Sequence, residues 1–143
     1  MKKKRPKVVI DTNVFISSLK SKMGVSYKLL FEVSKRKFEQ NISPALIFEY
    51  ESVAKRSSIG IELNDSQINS IIDNICKQST KCQIFFLWRP FLKDPKDDLV
   101  LELAIESQSE FIITYNLNDF KGIEKFGIKV LTPKVFLELI GEL

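Results

Sequence analysis

Residues 94–120 read DPKDDLVLELAIESQSEFIITYNLNDF, and changes of pattern divide them. Asp94-Pro95 joins a capping side chain to a proline, the pair that starts helices. Leu99, Val100, Leu103 and Ala104 follow at helical spacing, predicting a helix to about residue 108 with that face turned inward. Residues 110–114 (EFIIT) switch to a short apolar run with no polar face, the pattern of a strand buried on both sides. Residues 7–11 (KVVID) are a second run of that kind, ending on an acid.

Working outward, the same alternation fills the chain. Residues 13–19 read as one or two helical turns that Gly24 breaks. Residues 26–37 resume as a helix, with Leu29, Leu30 and Val33 on one face and Lys35, Arg36 and Lys37 at the C-terminal end, where cations suit the helix dipole. Residues 38–42 form a weak strand. Ser43-Pro44 starts a helix to about residue 56, Asn64 or Asp65 caps another to about 77, and residues 83–87 read as an aromatic-rich strand. Residues 129–131 are a last short strand, and Thr132-Pro133 opens a C-terminal helix to about 141. Strands separated by helices predict an α/β fold: a single three-layer α/β/α domain around a central, mostly parallel sheet of four to five strands. The expected division is a basic N-terminal tail over 1–6 and one domain over 7–143.

Composition narrows the chemistry. A chain of 143 residues is the size of one domain. With 44% hydrophobic and 28% charged residues it is built to fold rather than stay disordered. It has no histidine, which excludes Ser-His-Asp and Cys-His catalysis and every His-ligated metal. Cys76 and Cys82 are too few for a structural zinc site and read as free thiols with packing roles. Five glycines are scattered, so no phosphate-binding glycine loop exists. No stretch approaches the roughly 20 apolar residues that span a bilayer, and the expected location is cytoplasmic, with no membrane contact. The net charge is +4, yet without Lys2, Lys3, Lys4, Arg5 and Lys7 the remainder carries −1. The basic character belongs to the tail, which is either a solvated segment or an arm that touches phosphates.

In a parallel open sheet, function gathers at the carboxyl ends of the strands. Asp11 ends the first strand. Asp119 lies five residues beyond the EFIIT strand, and Asp94, Asp97 and Asp98 start the helix before it. Glu49 sits on a helix face with Leu46, Ile47, Tyr50 and Val53. Taken singly, Asp94 is a helix cap, Asp98 a first-turn acid, and Glu51 and Glu102 solvated surface. Taken together, several carboxylates at one sheet edge repel and coexist in ionised form only around cations. Hard oxygen donors of this kind suit Mg²⁺ or Mn²⁺. Lys20, Lys22 and the 35–37 cluster are candidates to hold a flanking phosphate chain. A haloacid-dehalogenase-type phosphatase needs a second aspartate where Asn13 stands. A receiver domain needs an acidic pair at strand one, which is absent.

These residues resemble the PIN-domain ribonucleases over nearly the whole chain. VVIDTNVFISSL resembles the family's opening strand, with Asp11 as its first metal carboxylate and Thr12 and Asn13 beside it. SPALIFEYESVAKR resembles the second acidic segment, with the acid at Glu49. DPKDDLVLELAIESQSEFIITYNLNDF is the most specific match. Counting back seven from Ala104 selects Asp97 as the third acid, and TYNLNDF makes Asp119 the fourth. The resemblance implies a metal-dependent endoribonuclease cleaving RNA phosphodiesters by metal-activated water. It gives Asp11, Glu49, Asp97 and Asp119 as catalytic ligands of one or two Mg²⁺ or Mn²⁺ ions, and Thr12, Asn13, Asp94, Thr114 and Asn116 as orienting groups. Small PIN proteins of this length resemble the toxin of VapBC-type toxin–antitoxin pairs, which implies an antitoxin partner and a homodimer. Two departures stand out: Asn116 where the close subgroup often carries aspartate, and Lys96 where an acid is frequent. They leave open the alternative of a catalytically impaired PIN-fold module that binds RNA or protein.

Overall fold

The structure, a computed structural model, describes residues 5–56, 60–85 and 91–143. Its sheet has five strands, all parallel: β1 (Lys7–Ile10), β2 (Glu39–Ile42), β3 (Thr80–Lys81), β4 (Phe111–Ile113) and β5 (Lys129–Leu131), in the order β3-β2-β1-β4-β5. Among the described residues six α-helices pack around it: α1 (Thr12–Lys20), α2 (Val25–Ser34), α3 (Pro44–Ala54), α4 (Asp65–Gln78), α5 (Pro95–Glu106) and α6 (Pro133–Leu139).

The helix starts follow the local chemistry. Ser43, Asp94 and Thr132 each precede a proline, and each side-chain oxygen accepts a backbone N–H of the first turn, at 3.2, 2.9 and 3.3 Å. Asn64, rather than Asp65, caps α4, in a reciprocal pair with Gln67. Two single-turn 3₁₀ helices, Leu117–Phe120 and Ile123–Phe126, fill the β4–β5 crossover.

Alternation along the strands makes two cores. Val9, Ile42 and Ile112 face one side, against apolar residues of α3, α4 and α5. Val8, Ile10 and Ile113 face the other, against Leu29 and Val33 of α2 and Phe136 and Leu137 of α6. A sheet buried on both faces explains why its strands read as unbroken apolar runs. The three layers and the parallel sheet match the sequence expectation.

Some expectations are corrected. The third strand is Thr80–Lys81, three residues before the expected one; residues 83–85 are not in a strand, and 86–87 lie outside the described residues. Glu102 is buried at 1% exposure, not solvated, because α5 packs between sheet and helices on most of its circumference. Lys35–Lys37 lead into the amino end of β2, the opposite edge of the sheet from Asp11. Lys35 there pairs with Glu32 and Lys37 with Glu142, both at 3.4 Å.

Candidate active site

β1 and β4 lie side by side although the rest of the sheet's first half is built between them. From β1 the chain fills one half of the sheet, then crosses to β4 to fill the other. The crevice outside the carboxyl ends of two such strands is the usual ligand seat of an open α/β sheet.

Asp11 stands at that point, immediately after Ile10, and is 8% exposed. Four bonds fix it. Its backbone N–H donates to the Ile113 carbonyl at 2.9 Å. Its Oδ1 accepts the Thr12 N–H at 2.8 Å, so it also caps α1. Its Oδ2 accepts the Thr114 hydroxyl at 2.8 Å and the Asn13 amide at 3.4 Å. Asn13 also donates to Thr114 Oγ1 at 3.1 Å and accepts the Tyr115 N–H at 3.3 Å, locking α1 to the loop after β4. Thr114, with no exposure, accepts the Asn116 N–H at 3.1 Å. Tyr115 extends the loop outward, its hydroxyl bonded to that of Ser26 on α2.

The remaining acids approach from three directions. Asp119 is exposed on the 3₁₀ turn that buried Phe120 anchors. Glu49 projects from α3 and meets the Lys96 ammonium at 3.8 Å. The first turn of α5 separates its acids. Asp94 caps the helix. Asp98, 1% exposed, turns inward and accepts the N–H groups of Leu92 at 2.8 Å and Phe91 at 3.3 Å. Asp97 faces the charges of Asp11 and Asp119.

That crowding shows in the acidities. Burial pushes the Asp11 carboxyl above the ordinary range. Hydrogen bonds from Thr114 and Thr12 pull it back, and the Asp119 and Glu49 charges push it up again. Asp97 is pushed up to about 7, first by burial, then by Asp11, Asp119, Asp94 and Asp98.

Among the described residues, no three Asp, Glu, Cys or His side chains stand close enough to cage a metal as they are. In donor type and charge, however, the set fits a hard divalent cation. It is all oxygen, and a cation offsets the mutual repulsion that, after burial, raises the Asp97 carboxyl.

Tyr50 was not legible as a site residue. It is fully buried, its ring stacks on Phe15 at 4.5 Å, and its hydroxyl donates to the Ile10 carbonyl. Pairing of β1 with β2 is registered at Lys7 and Val8. Tyr50 therefore supplies the donor for the carbonyl just ahead of Asp11. Burial, with the Asp11 charge, pushes its phenol well above the ordinary range, so it remains a donor. The signal was its place on the same face of α3 as Leu46 and Val53.

The sequence pattern of the PIN domain matches residues 7–118, from β1 into the turn after β4. The chain belongs to the PIN-domain family. The match ends one residue before Asp119. An uncharacterized protein of Methanocaldococcus jannaschii, MJ1680, is 29% identical to this PIN domain over 149 aligned positions, covering 96% of this chain and 94% of that protein. A chain of the VapBC2 structure from Rickettsia felis, solved bound to a DNA fragment from their promoter, superposes with a TM-score of 0.59. It covers 87% of this chain and 96% of that one at 14% identity, a likeness of fold.

Proposed function

We propose that this PIN domain is a metal-dependent endoribonuclease and the toxin of a toxin–antitoxin pair. The observation that carries the reading is Asp97. Burial first, and then the charges of Asp11, Asp119, Asp94 and Asp98, push its carboxyl up to about 7, beside an Asp11 held by hydrogen bonds at the switch point of the sheet, and a bound cation would offset that crowding. Asp11, Asp97 and Asp119, with Glu49, would hold one or two Mg²⁺ or Mn²⁺ ions. Such an ion supplies acidification of an attacking water and neutralisation of charge on the phosphate.

The chain's own residues do the rest. Thr114 and Asn13 hold the Asp11 carboxylate in one orientation. Tyr50 fixes the backbone behind it. Asn116 and Tyr115 line a cleft with Asp119 that is open to a single RNA strand. The VapBC2 likeness supports an antitoxin partner. Among the described residues, no helix is long and apolar enough to cross a membrane. A homodimer in the cytoplasm, with residues 1–6 as a basic tail on a domain over 7–143, completes the proposal.

A second reading, a PIN-fold module that binds RNA or protein without cleaving, draws on two observations. Lys96 occupies Glu49, and the residue after Tyr115 is an amide. One experiment separates the two: cleavage of labelled single-stranded RNA with Mn²⁺ or Mg²⁺, then with chelator, by wild type and Asp11→Asn. The nuclease reading expects metal-dependent cleavage lost in the variant. Folded, metal-loaded wild type that leaves a broad set of RNAs intact favours the binding module.

A further inference from the structure

Beside the carboxylates lies a cleft of about 480 Å³ with the opposite charge. Helical spacing builds it. Ile16 and Lys20 are one turn apart on α1. Glu49 and Val53 are one turn apart on α3, and Arg56 follows just past its end. α1 packs on α3, Ile16 and Val53 give the cleft its apolar lining, and Lys96 of α5 completes it. Three cations and one carboxylate, Glu49, thus line the cleft. Lys96 is held by Glu49 at 3.8 Å. Lys20 and Arg56, both exposed, meet no carboxylate among the described residues. A body that is near neutral has here concentrated uncompensated positive charge in a concave site whose rim is the first turn of α1, next to Asp11.

We infer that this cleft is a phosphate subsite, in which Lys20, Arg56 and Lys96 grip a backbone phosphate of the RNA next to the one cleaved at Asp11. The inference rests on the nuclease reading for the identity of the RNA, but not for the existence of the subsite. Its polar reach is that of cations toward phosphate oxygens, so it positions the backbone without carrying sequence information. Arg56 offers a planar fork to two phosphate oxygens, whereas Lys20 and Lys96 act as point charges. When a phosphate enters, Lys96 has an anion to exchange for Glu49, which frees that carboxylate for the neighbouring site. Ligand binding and completion of the acidic set are therefore linked through one ion pair.

The test is binding of a fluorescent single-stranded RNA by the full chain in chelator, where cleavage cannot intervene, at several salt concentrations. The slope of log affinity against log salt is expected to become shallower in Lys20→Ala and in Arg56→Ala, and by about 0.7, the share of one neutralised phosphate on a single strand, in the double variant. Lys134→Ala, on α6, should leave the slope unchanged. If cleavage is observed with Mn²⁺, the same variants are expected to raise KM severalfold with kcat kept. Competition by an abasic ribose-phosphate oligomer, but not by poly-glutamate of equal charge, supports a phosphate site. Equal displacement by poly-glutamate overturns it in favour of an acidic protein segment. Failure of the wild type to bind, or slopes identical across wild type, Lys20→Ala and Arg56→Ala, also overturns it. Because this arm needs no metal, loss of the subsite and loss of the nuclease reading are separate outcomes. Both side chains are exposed, so unchanged thermal melts check that the variants fold.

Discussion

Removing the charge of Asp97 should make the metal-free protein more stable at neutral pH, and the sign follows from its acidity. An unfolded aspartate titrates near 3.8, while folded Asp97 titrates at about 7. Between those values the folded state holds a proton that the unfolded state has lost, so stability falls as pH rises through the window. At about 1.4 kcal/mol per pH unit the window would cost about 4 kcal/mol for a sealed group. Asp97 is partly open to water, and screening reduces the cost to about 1–2 kcal/mol. For a chain of this length that is a melting shift of about 3–7 °C. Calorimetry in chelator at pH 4.5, 6 and 7.5 is the assay. The wild-type Tm is expected to fall relative to that of Asp97→Asn across the series, with the variant ahead at pH 7.5. Adding Mn²⁺ should restore the wild type and do less for the variant. Parallel pH curves for the two proteins would refute the claim that burial and the neighbouring acids raise the Asp97 carboxyl.

Three further outcomes test the framework. Asp98→Ala leaves two backbone N–H groups without their acceptor and should cost about 2–4 kcal/mol in urea unfolding, unlike Asp97→Ala; equal effects would mean the two acids are not distinct. Tyr50→Phe strips the donor from the Ile10 carbonyl and should cost about 1–3 kcal/mol; an unchanged urea midpoint would show that water replaces the hydroxyl. Thr114→Val keeps the shape but deletes the bonds to Asp11, Asn13 and Asn116. It should weaken Mn²⁺ binding by calorimetric titration at least severalfold, and unaltered affinity would remove Thr114 from the site.

The frame of this protein was readable because its signals are local. A capping residue before proline starts three helices wherever it occurs, and doubly buried strands declare themselves as apolar runs. β3 escaped because Thr80 and Lys81 are both exposed and their pairing is decided by β2 alone, while Ile84 and Phe85 imitate a strand. Asp97 and Asp98 are adjacent letters in the same turn. What parts them is about 100° of helix rotation and the chain at 91–92, which needs Asp98 as its acceptor. The pocket of Lys20, Arg56 and Lys96 draws on three helices, and no spacing in the sequence ties them together.

The hydrogen bond from Thr114 to Asp11 joins residues 103 apart in the chain. Until β4 has left the ribosome, β1 has no neighbour on that side, Asp11 has no Thr114, and Asp97 has no fixed helix to stand on. A polypeptide cut short anywhere before residue 111 can therefore carry Asp11, Glu49 and Asp97 and still have no site. The order of strands makes synthesis of more than three-quarters of the chain a precondition of any chemistry at this edge. Because the β1–β4 pairing closes a loop of about a hundred residues, it is the kind of non-local contact that forms slowly.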